Sequence, residues 1–137
     1  MKIIIYILIY LYFIYLIKSS NMLNSLKPII AYVSLPEYEI ARKIATILVE
    51  KRLVACAKII NNLESFYIWE EKLNIDKELY LMLKTSEENI SEIKSVLDSN
   101  HPYKVYEFIY FDIKGGNEKY FEWMGQVLNV TPKKLDH

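Results

Sequence analysis

The chain has 137 residues, with Lys plus Arg at 17 and Asp plus Glu at 17. A formal charge of zero argues against a nucleic-acid-binding surface, which draws on a basic surplus. One cysteine cannot close an intrachain disulfide, so the fold rests on packing. The 12 tyrosines are notable, because Tyr is favoured where a surface is buried but its hydroxyl still finds a partner.

From Ile3 to Ile17 every residue is apolar or tyrosine, with Lys2 before and Lys18 after. A transmembrane helix needs about 20 such residues and a signal-peptide core about 7 to 15. Residues 1–24 are therefore expected to be a leader for the secretory pathway or an organelle. Ser19-Ser20-Asn21 is a small, polar but poor cleavage sequence. A retained membrane anchor, or a cytoplasmic chain that keeps the segment, is the alternative. If it stays on the chain, it should form a helix that packs little against the rest.

The domain is expected over residues 25–130. Ile29 to Ser34 reads as a strand. A helix should follow from Pro36 to about Arg52, with Ser34 as a cap and Ile40, Ile44, Ile47 and Leu48 on one face. Val54 to Ile60 is a strand that resumes through Ser65 to Trp69. The polar stretch Glu70 to Lys77 reads as a solvated hairpin tip. Glu78 to Lys84 is the returning strand, with Leu79, Leu81 and Leu83 alternating against Tyr80 and Met82. Thr85 and Glu88 have capping-box spacing for a helix carrying Ile90, Ile93, Val96 and Leu97. Pro102 ends that helix near Asn100. Val105 to Ile113 is a strand, Gly115-Gly116-Asn117 a turn, and Glu118 to Leu128 a final helix. Residues 131–137 form a tail expected to be mobile.

This order is the split β-α-β pattern of an α+β, ferredoxin-like sandwich with an extra C-terminal helix. Right-handed crossovers place both long helices on one face of an antiparallel sheet. The other face would then expose large apolar and tyrosyl groups, more than a soluble monomer leaves open. A closed homo-oligomer is the expected remedy.

The sequence carries no phosphate-binding glycine loop, no paired Cys or His at zinc spacing, and no nucleophile-base-acid motif. An enzymatic role is not expected. The sharpest local feature is His101-Pro102-Tyr103 in a helix-to-strand loop, with Glu107 further on. An imidazole and a carboxylate suit Cu2+ or another borderline divalent ion. Cys56 joins His101 and Glu107 as a candidate donor, although a lone cysteine is more often a small buried hydrophobe. Tyr67, Trp69, Lys84 and Tyr103 are candidates to line a ligand cleft, the lysine facing an anion.

Several segments then fall in a familiar order: Ala41-Arg42-Lys43-Ile44-Ala45, Leu48 to Cys56, Ser65 with Tyr67 and Trp69-Glu70, Glu78 with Lys84-Thr85, His101-Pro102-Tyr103, and Tyr120 with Trp123. Together, over about Ile29 to Leu128, they resemble the CutA divalent-cation-tolerance family. The resemblance implies a ferredoxin-like homotrimer whose strands reach into neighbouring subunits. It also implies binding of copper or another divalent metal, a role in metal tolerance, and no established reaction. Family members usually carry Pro-Glu two residues after His-Pro-Tyr, where this chain has Tyr106-Glu107. They usually carry Gly after Trp-Glu, where it has Glu71. Some bacterial members place a cysteine and a second histidine where Val33 and Asn100 stand. With so few soft donors, the chain is not built for a high-affinity Cu+ site. Two rival readings are a sensor of small molecules like the trimeric PII signalling proteins, with clefts between subunits, and a structural or anchoring assembly protein.

Overall fold

The computed structural model describes residues 2–23, 25–129 and 131–132. The elements are α1 (Lys2–Leu23), β1 (Ser25–Leu26), β2 (Pro28–Leu35), α2 (Tyr38–Glu50), β3 (Cys56–Trp69), β4 (Lys72–Ser86), a 3-10 turn (Glu87–Asn89), α3 (Ile90–Asn100), β5 (Phe108–Asp112), α4 (Glu118–Val127) and β6 (Thr131–Pro132). The main sheet has the order β3-β4-β2-β5 with every neighbour antiparallel. This is the ferredoxin-like α+β arrangement expected from the sequence.

Period-two burial sets one face of the sheet. Ala31, Val33 and Leu35 of β2 and Leu79, Leu81 and Leu83 of β4 are buried. They pack with Ala41, Ile44 and Leu48 of α2 and with Ile93, Val96 and Leu97 of α3 in one core. Full burial of each Leu or Ile contributes about 1.5–3 kcal/mol before entropy is counted. At one end of the sheet a second cluster forms around α4: Leu26, Ala55, Phe121, Met124 and Leu128. Asn117 caps α4, its side-chain oxygen accepting from the Lys119 amide at 3.0 Å.

The open face carries Tyr32, Tyr80 and Met82, all half-buried, with Ile60, Ile109 and Phe111 exposed. α4 shields only the end where Tyr120 meets Cys56. The other end is open.

Several local expectations are corrected. The polar stretch Glu70 to Lys77 is not a loop. Only Glu70-Glu71 turns, and β3 and β4 stay paired out to Trp69↔Lys72. Leu73 and Ile75 alternate with Lys72, Asn74 and Asp76, so the segment is a strand with one polar face. The helix expected from Pro36 begins at Tyr38, with Glu37 rather than Ser34 at its cap position. Ser34 lies inside β2. Thr85 caps nothing: it is fully buried at the end of β4, and its hydroxyl donates to the Leu53 carbonyl at 2.5 Å. Asn89 Nδ2 donates to that same oxygen at 3.0 Å, which ties the α2–β3 link to the start of α3. The strand expected from Val105 starts at Phe108, because residues 101–107 are held in another way, described below. Of the tail, Thr131 and Pro132 pair in parallel with Ser25 and Leu26, and residues 133–137 lie outside those described.

The side chains from Ile4 to Phe13 of α1 stand exposed. Over the described residues, no helix is long and apolar enough to cross a membrane.

The β3–β4 turn holds Glu70 at φ 49° and Glu71 at φ 61°. A two-residue hairpin turn with both φ positive follows the right-handed twist of its strands, but it favours Asn-Gly over two β-carbon-bearing residues. Left-handed backbone costs such a residue about 1–2 kcal/mol. Glu71→Gly should therefore raise stability by about 0.5–1 kcal/mol, after the extra entropy of glycine is subtracted. Urea unfolding of the two proteins measures this, and an unchanged midpoint would show that the turn carries no strain.

Candidate functional site

The loop from His101 to Glu107 joins α3 to the edge strand β5, with Tyr106 packed against the helix-side core. α3 ends because Pro102 cannot continue it and forces the residue before it to be extended. His101 accordingly has φ −74° and ψ 136°, while its amide still donates to the Leu97 carbonyl at 2.7 Å. Both ring nitrogens are engaged. Nδ1 accepts from the Tyr103 amide at 3.1 Å, which leaves the proton on Nε2. Nε2 then donates to the Ser34 carbonyl of β2 at 2.9 Å. The ring stacks on Tyr106 with centroids 4.2 Å apart and planes 18° from parallel.

The role of Tyr106 could not be read from sequence. Its hydroxyl donates to Asp98 at 2.6 Å, and Asp98 also takes Lys94 Nζ at 2.6 Å. Burial, then the bond to Asp98, pushes the Tyr106 hydroxyl up to about 12. The lysine bond first, and the tyrosine bond second, hold the Asp98 carboxyl below its usual range.

Glu107 is fixed by the same β2 residue as His101: the Ser34 amide donates to the Glu107 backbone carbonyl at 3.3 Å. Its carboxylate accepts from Tyr80 on β4, at 3.1 and 3.3 Å to the two oxygens. Burial, and then Glu107, raise the Tyr80 hydroxyl. Tyr80 meets Tyr32 edge to face at 5.5 Å.

The structure thus ties the His101 ring and the Glu107 backbone to one residue, Ser34, while the Glu107 carboxylate turns to Tyr80. Cys56 is not with them. It faces Lys84 across the β3–β4 ladder and touches Tyr120. The register places Lys84 four positions along β4 from Tyr80, so Cys56 lies about 13 Å away along the strand direction. Among the described residues no group of three or more His, Cys, Asp or Glu could hold a metal ion. His101 can use Nδ1 only if the Tyr103 amide swings away.

The proposed cleft residues divide in the same manner. Tyr67 donates to Asp76 across the ladder, and that bond, with minor help from burial, pushes its hydroxyl up to about 12. Tyr103 is close enough to add to this shift. Trp69 is exposed at the hairpin tip, and Lys84 is at the far end of β4. An open cleft of about 640 Å³ lies between the start of α2 and the root of the hairpin, lined by Pro36, Tyr38, Asn62, Leu63 and Lys77 among others. It holds none of the four.

Fold and site together define a ferredoxin-like α+β protein with an uncovered sheet face and a long β-hairpin. The CutA1 divalent ion tolerance protein family matches residues 29–127. A CutA homolog of Xenopus laevis is 40% identical over 98 residues, which is 72% of this chain and 65% of that protein. The CutA protein of Pyrococcus horikoshii is 38% identical over 96 residues, covering 70% of this chain and 93% of its own length. The crystal structure of CutA1 from Oryza sativa superposes with a TM-score of 0.73 at 36% identity, over 76% of this chain and 95% of that one. The chain belongs to the CutA1 divalent ion tolerance family. It spans only about three fifths of the plant and amphibian relatives it matches, whose covered shares are 59%, 65% and 60%.

Proposed function

We propose that the protein serves divalent cation tolerance as a homotrimer and binds a divalent ion, copper by preference, weakly at His101 and Glu107. The carrying observation is that the His101 ring and the Glu107 backbone are both held by one residue of β2, Ser34, which brings the two side chains to neighbouring places at the edge of the sheet. Imidazole nitrogen with carboxylate oxygen suits Cu2+. The site would be weak for two reasons: the Glu107 carboxylate is engaged by Tyr80, and Nδ1 must first give up the Tyr103 amide. Isothermal titration with Cu2+ is the test. His101→Ala should lower affinity by about tenfold or more, the worth of one lost ligand interaction of ~1.4 kcal/mol. His101→Gln keeps a donor for the Ser34 carbonyl and should lower it as much. If Gln restores wild-type affinity, the histidine acts only by holding the loop.

The trimer reading rests on exposed apolar surface that a single copy leaves in water: the open sheet face and one side of the β3–β4 hairpin. The leader reading rests on the apolar run ahead of the domain. Relatives in Arabidopsis thaliana and Oryza sativa are named chloroplastic, and a structure from Archaeoglobus fulgidus, 28% identical with a TM-score of 0.71, is described as periplasmic. Residues 1–24 would direct this chain out of its compartment of synthesis in the same sense.

A further inference from the structure

The charges on the open face are sorted by end. Lys58 on β3 and Lys84 on β4 lie at the end where the strands enter from Cys56. Side-chain alternation puts both on the same face as Tyr80 and Met82. Neither makes an ion pair among the described residues, although Lys84 is half-buried. At the other end of that face stand Asp76, Glu78 and Glu107. Each is met by a hydroxyl and, among the described residues, by no cation: Tyr67 for Asp76, Ser65 at 2.5 Å for Glu78, Tyr80 for Glu107. Glu78 acts electrostatically on both Tyr67 and Tyr80, the partners of the other two carboxylates, so it stands between them.

These two ends cannot neutralise each other within one chain. Lys84 and Glu78 lie on the same strand about 20 Å apart, far beyond ion-pair reach. A second copy placed head to tail brings one copy's basic end to the next copy's acidic end, and each copy leaves its own complementary end for a third. Charges of opposite sign at the two ends of one interface set register and order, and a half-buried lysine left without an anion would be costly.

We infer that neighbouring copies are locked in register by ion pairs from Lys84 and Lys58 of one copy to the Glu78 row of the next, with Lys84 to Glu78 the central pair. This rests on the oligomer reading above and adds which residues each copy contributes.

Sedimentation of the full chain tests it by charge exchange. Glu78→Lys and Lys84→Glu should each weaken assembly by about tenfold or more, and the double exchange should restore it. Glu78→Gln and Lys84→Met keep shape and the Ser65 bond. They should assemble with less dependence on salt than wild type, and far-UV circular dichroism confirms that each variant folds. A trimer whose mass is indifferent to both single exchanges overturns the pairing. A double exchange that stays dissociated does the same. A wild-type monomer would instead overturn the oligomer reading, and this inference with it.

Discussion

Ile68→Asp combined with Leu73→Asp should leave the protein monomeric. Beyond the root of the hairpin, β3 and β4 run as a two-stranded arm, paired from Leu63↔Glu78 to Trp69↔Lys72. One side of that arm is Phe66, Ile68, Leu73 and Ile75, exposed by 64%, 67%, 65% and 55%. A bare two-stranded ribbon is marginal in water, so an arm this long and this apolar needs a surface to lie on. The face is continuous because of a register shift between Ile60 and Leu63, where Asn62 takes φ 64°. One extra residue in β3 swings Phe66 and Ile68 onto the side of Ile75 and Leu73. Without the bulge, the two strands would present their apolar groups to opposite sides. Ile68 and Leu73 stand directly opposite each other. Two aspartates there lose about 1.5–3 kcal/mol of burial each and repel across the ladder. Sedimentation should show a single subunit with near-native far-UV circular dichroism, since the core around Leu81 and Ile44 is elsewhere. A trimer of undiminished stability would mean that the arm contributes nothing to assembly.

His101→Ala should cost about 1.5–4.5 kcal/mol of stability in the absence of any metal. The estimate adds two hydrogen bonds at ~0.5–1.5 kcal/mol each and one aromatic stack of similar size. The side chain joins three parts of the chain: Ser34 in β2, Tyr103 in the loop, and Tyr106, which is itself anchored to α3 through Asp98. His101→Gln should recover about half of that loss through its amide donor. Urea unfolding in the presence of a chelator measures the difference. No destabilisation by the alanine would show that the contacts seen around the ring carry little free energy.

Much of the sandwich could be read directly. Leu79-Tyr80-Leu81-Met82-Leu83 states its period openly, and Ile40, Ile44 and Leu48 state theirs. The hairpin was harder. Lys72, Asn74 and Asp76 outnumber Leu73 and Ile75, so average polarity pointed to a loop, whereas the alternation pointed to a strand. The site was only half legible. The His-Pro-Tyr motif located the loop, but nothing local showed that Ser34, 67 positions away, would hold the histidine. Nor could it be seen that Tyr106 would become the stacking partner.

The sequence alone determined which faces are apolar, because burial preference and the repeat of helix and strand are properties of neighbouring residues. Only the tertiary structure decided that His101 and Glu107 share Ser34 while Cys56 lies apart, that both nitrogens of His101 are already in use, and that unlike charges occupy opposite ends of one face. Those facts depend on strand order, register and a single-residue bulge. These are set by contacts between residues distant along the chain, where local pattern has no reach.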